Sequence, residues 1–62
     1  MINKIVKKLM IDQDLSVKKL ADITGYTYPH LSGVIHGRID SIRAKKIIAL
    51  VLGKNFHELW GG

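Results

Sequence analysis

The sequence predicts an all-α fold: a compact bundle of about five short helices in a single domain covering residues 1–62. Three observations lead there. Apolar residues recur three and four positions apart in each long segment, without strand-like alternation, internal repeats or low-complexity tracts. Ser, Thr or Asn heads most of these runs and Gly follows several of them, which is the chemistry of helix caps. Finally, 62 residues leave room for one small core and no second domain.

In the first segment Ile2, Ile5, Val6, Leu9 and Met10 fall at i, i+3, i+4, i+7 and i+8, predicting one buried face, with Asn3, Lys4, Lys7, Lys8 and Asp12 on the other. The stretch "DQDL" interrupts the pattern. Ser16 then caps a second helix that buries Val17, Leu20 and Ala21 and stops at Gly25. Thr27 caps a third, with Pro29 in its first turn, where a missing N–H is harmless. Its inward positions are Leu31, Val34 and Ile35, and Gly37 ends it. After "RIDS", Ser41 caps a fourth helix with Ala44, Ile47, Ile48, Val51 and Leu52 inward, closed by Gly53. Asn55 starts a last short helix, "FHELW".

Composition excludes several functions. There is no cysteine, hence no disulfide and no thiolate metal cluster. His30 and His36 are six apart and point away from each other, and no carboxylates complete a shell around them or His57, so no metal is expected. No nucleophile, base and orienting group fall together, and a helical chain this short offers little cleft. The expectation is therefore no catalysis, no cofactor and no small-molecule ligand. The start "MINKIVKKLMID" is broken by Lys7 and Lys8 with no cleavage site after it, and the longest apolar run, "IIALVL", is far below a membrane span. A soluble, cytoplasmic protein is expected. Ten Lys and Arg against five Asp and Glu give a formal charge of +5, which favours a polyanionic partner.

Residues 16–37, "SVKKLADITGYTYPHLSGVIHG", carry the functional signal. Thr24-Gly25-Tyr26-Thr27 breaks a helix but is too short to separate domains. Helices joined by so few residues around a Gly cross steeply, which can hold the second one out from the body. On its outward face the sequence predicts Tyr28, Pro29, Ser32 and Gly33, with Thr27 and His30 at the edges: small or hydrogen-bonding groups, none acidic. A duplex major groove admits such a helix and offers it base edges, so these six are the candidate base readers. Lys18 and Lys19 occupy a first helical turn, where the dipole favours acids; attraction to phosphate gives them a reason to be there.

In these residues the chain resembles the helix-turn-helix domains of the lambda-repressor-like group, the Cro and C1 proteins of phages and their bacterial relatives. The matching residues are Leu15-Ser16, Leu20-Ala21, Gly25, Leu31, Ile35, Gly37 and the closing "LGKNFHELW", in order and at the family's spacing over nearly the whole chain. The resemblance implies a double-stranded-DNA-binding repressor in the cytoplasm of a bacterium or phage-infected cell. It also implies phosphate or minor-groove contacts from Ser16, Val17, Lys18, Lys19, His36, Arg38, Ser41 and Arg43. Val17 stands where many relatives have Gln, leaving the phosphate to Ser16 and backbone N–H groups; His36 stands where they often have Asn. Met10 and Ile35 stand where some relatives bury an Arg–Glu pair, which predicts a drier core.

Phe56, Leu59 and Trp60 are too many large apolar groups for a helix of about one and a half turns to bury. Relatives pair through this region, so the resemblance implies a weak homodimer completed on DNA; the other reading folds Trp60 back over the core. Two other functions fit the same fold, a protein-binding adaptor or antirepressor and an accessory DNA protein such as an excision factor or antitoxin-like partner. Lys18, Lys19, Arg38 and Arg43 favour DNA over the adaptor.

Overall fold

Caps set the helix starts. A computed structural model describes residues 3–61, with helices α1 (Lys4–Asp12), α2 (Val17–Thr24), α3 (Tyr28–Ile35), α4 (Ile42–Leu52) and α5 (Phe56–Trp60), and no strand among the described residues. Ser16, Thr27, Ser41 and Asn55 each accept a first-turn backbone N–H from the helix they precede. Each such cap is worth about 1 kcal/mol. Asn55 belongs to a capping box, because the Glu58 carboxylate accepts the Asn55 N–H in return. Among the described residues no helix is long and apolar enough to cross a membrane.

Asn3, expected on the polar face of the first helix, instead joins three elements. Its Oδ1 accepts the Val6 N–H and caps α1, its Nδ2 donates to the Leu59 carbonyl at 2.7 Å, and its own N–H donates to the Ile35 carbonyl at 2.8 Å. The "DQDL" break does similar work, since Gln13 Nε2 donates to the Leu52 carbonyl at 2.9 Å and ties the end of α1 to the end of α4.

The core is built from Val6 and Met10 of α1, Leu20 and Ala21 of α2, Leu31, Val34 and Ile35 of α3, Ala44, Ile48, Ala49 and Leu52 of α4, and Leu59 of α5. No polar or charged side chain is buried among the described residues, and Met10 and Ile35 both lie within the apolar cluster. The expected dry core is observed.

Several inward assignments change. Ile2 lies outside the described residues. Ile5 is 55% exposed, because the buried stripe of α1 centres on Val6 and Met10 and Ile5 falls about 100° round from Val6, beyond Leu9. Val17 and Val51 are half-buried at the margins of the core and Ile47 is half-buried, while Ala49, not anticipated, is inside the core.

Candidate nucleic-acid interface

The connection between α2 and α3 is three residues long and stiffened by its own hydrogen bonds. Gly25 takes the left-handed conformation at φ 81°, which favours glycine, and its N–H closes on the Ala21 carbonyl. Thr24 Oγ1 donates to the Leu20 carbonyl at 2.8 Å and accepts the Tyr26 N–H at 3.3 Å. The two helices pack against each other, with Leu20 and Leu31 both fully enclosed.

With Leu31, Val34 and Ile35 turned inward, the outer side of α3 and its C-cap presents exposed Tyr28 and Pro29 beside half-buried Ser32 and His36. At helical spacing these fall within an arc of about 100°. Tyr28 is 54% exposed. Pro29 and Thr27 are exposed as well, although the Thr27 hydroxyl also accepts the His30 N–H. His36 bends back onto its own helix: its Nδ1 lies 2.8 Å from the Ser32 carbonyl oxygen and 3.4 Å from Ser32 Oγ. A carbonyl can only accept, so in this contact Nδ1 donates.

Gly33, expected on this face, is elsewhere, and His30 is half-buried at its edge. Gly33 is buried, because the Ile39 side chain folds over it: a Cβ added at Gly33 would sit 2.5 Å from Ile39 Cδ1. The chain reaches that position through the end of α3, where Gly37 at φ 81° lets the Arg38 N–H and the Ile39 N–H both donate to the Gly33 carbonyl. His30 is half-buried, its ring stacked on Tyr26 with centroids 5.2 Å apart, and its Nε2 is enclosed without a hydrogen-bond partner. It packs against the turn.

The candidate phosphate contacts fall into two groups. Lys18, Lys19, Arg38 and Arg43 are exposed, and none joins the single ion pair found among the described residues, Lys45 with Asp40 at 3.0 Å. That pair was not anticipated from the sequence. It occupies the one carboxylate between Arg38 and Arg43 and leaves both guanidinium groups uncommitted. The hydroxyls of Ser16 and Ser41 accept the Lys19 and Ala44 N–H groups, and each keeps its own hydrogen to donate. Val17 packs its side chain at the edge of the core, so only its backbone remains for an anion.

The candidate pairing region is corrected at one residue. Leu59 is buried in the core and offers no pairing surface. Trp60 is half-buried and folded back: its Nε1 donates to the Lys45 carbonyl at 3.1 Å, and the Lys45 ammonium stands 5.5 Å from the ring centroid. Phe56 is half-buried, edge-on to His57. No group of His and acidic side chains suited to a metal ion is found among the described residues. No family model, curated protein or solved structure matches the chain.

Proposed function

We propose that this chain is a sequence-specific double-stranded-DNA-binding regulator, a Cro-like repressor that seats α3 in the major groove and acts by occupying an operator. The observation that carries the reading is the outer face of α3. It is a short helix held at a stiff three-residue turn, with Tyr28, Pro29, Ser32 and His36 on one acid-free arc and uncommitted cations at Lys18, Lys19, Arg38 and Arg43 on the segments before and after it. Tyr28 and Ser32 read base edges, and the N-terminus of α2 with the cations holds phosphates.

A protomer whose longest extent is 27 Å is shorter than the separation of two half-sites one duplex turn apart, about 34–36 Å. A palindromic operator therefore takes two protomers, paired weakly through the exposed parts of Phe56 and Trp60 and completed on DNA.

The test is binding to random-sequence duplex at two salt concentrations, followed by selection of bound sequences from a random pool. Affinity should fall steeply with salt, Lys18→Gln should lower the slope of log affinity against log salt by about one unit, and selection should converge on one motif. A flat salt dependence refutes the reading. Two protomers per selected site in sedimentation support the pairing; one protomer on a full-length site rejects it.

A further inference from the structure

α4 has a second exposed face, of which the DNA reading uses Arg43 alone. Its buried side is Ala44, Ile48, Ala49 and Leu52. Diametrically opposite, at helical spacing, lie Arg43, Lys46 and Leu50, and the line runs on to exposed Lys54 just past the helix end. Leu50 is 79% exposed, the highest value among the large exposed apolar side chains, and half-buried Ile47 stands beside it. Between Asp40 and Glu58 the chain has no acidic residue, and Lys46 and Lys54 join no ion pair among the described residues. The result is a stripe about 16 Å long, apolar at its centre and cationic along its length.

We infer that this face docks an acidic amphipathic helix of a protein partner, with Leu50 and Ile47 against its apolar side and Lys46 and Lys54 against flanking carboxylates. Charge complementarity selects that occupant. A second copy of the chain pairing two-fold across α4 would set the same cations against themselves, because an isologous contact joins identical patches. A phosphate backbone needs donors along its whole contact, and Leu50 supplies none at the centre. A helix carrying both carboxylates and apolar groups satisfies the two chemistries together, in the manner of helix-in-groove recognition.

The experiment is selection of binders from a display library of random peptides about 16 residues long, with the strongest binder titrated against the whole protein and its variants. Enriched peptides should carry a surplus of Asp and Glu with apolar residues at i, i+3 and i+4. Leu50→Lys is the decisive variant: it adds a cation to a cationic face at an exposed position and should keep the parent's helical signal and melting temperature. It should weaken the acidic peptide at least tenfold while leaving random-duplex affinity unchanged, and Lys46→Glu should weaken the peptide to a similar degree. No enrichment, enrichment without acidic surplus, or a peptide affinity that holds or rises in Leu50→Lys overturns the inference. A several-fold gain in duplex affinity in Leu50→Lys assigns the face to DNA instead, and co-sedimentation of the parent with phosphatidylglycerol vesicles that is lost in Leu50→Asp assigns it to a membrane.

Discussion

α3 turns outward Tyr28, Pro29, Ser32 and His36, side chains of few rotatable bonds, one a fixed ring and one anchored to its own helix backbone. α4 turns outward Arg43 and Lys46 around Leu50. Long cations lose roughly 1.5–2 kcal/mol of side-chain entropy each when fixed, so a face made of them tolerates many partner geometries and rewards charge. Short or tethered groups go where the helix puts them, and a mismatched partner leaves them unpaired. One small domain thus carries a face suited to discrimination and a face suited to attraction, on two helices that share one dry core.

The comparison breaks altogether if the core that the two helices share is lost. Ile35→Glu would bury an unpaired carboxylate in the apolar cluster with Met10, a change of about 4 kcal/mol or more. Circular dichroism should show the domain unfolded and both faces silent; a native melting curve would refute the core assignment. Asn3→Ala removes the cap of α1 and the bond to the Leu59 carbonyl, together about 2 kcal/mol. Denaturant titration should register that loss, while sequence preference on DNA stays that of the parent.

The reading face is sharpened by Tyr28→Ala and Ser32→Ala. Each should alter the selected motif, by roughly 1–3 kcal/mol of discrimination where its contact is good, with stability nearly unchanged. Two unaltered specificity profiles would show that this face does not read DNA. The smallest effect is at Gly33. Alanine there gains about 1 kcal/mol of helix propensity, but its methyl meets Ile39 Cδ1 at 2.5 Å and Cγ1 at 2.8 Å, and such crowding costs about 1–3 kcal/mol. Gly33→Ala should therefore destabilise by about 1 kcal/mol in the parent and stabilise slightly in an Ile39→Ala background. The same sign in both backgrounds in thermal melts would discount the Ile39 contact.

What was legible in the sequence was local. Ser16, Thr27, Ser41 and Asn55 announce helix starts, and Gly25 and Gly53 announce ends, because capping is a matter of a side chain and the next few backbone groups. Exposure was legible where the arc was wide, as at Leu31, Val34 and Ile35. It was not legible at margins that another segment decides. Gly33 sits beside Pro29 on the helix circumference and has no side chain to declare a side, and Ile39, six residues later, closes over it. His30 is drawn inward by Tyr26 across the turn. Periodicity could not tell Leu59 from Trp60 either, since the choice depends on the Lys45 carbonyl fifteen residues back. The Asn3 and Gln13 side chains reach carbonyls 56 and 39 residues away, a separation that no spacing rule reads.

Trp60 is the only tryptophan in the chain, and its surroundings give it an optical use. The indole N–H is held by a carbonyl of α4 and its ring stands beside a lysine cation, so its emission reports the docking of α5 on α4. Both tyrosines, Tyr26 and Tyr28, lie at the turn before α3 and in its first turn. Excitation at the red edge of absorption lights the indole alone, and anisotropy or quenching of that signal follows one seam of the fold while the α3 face is occupied or empty. The protein therefore needs no added label to reveal whether events at its reading helix are felt at its C-terminal helix.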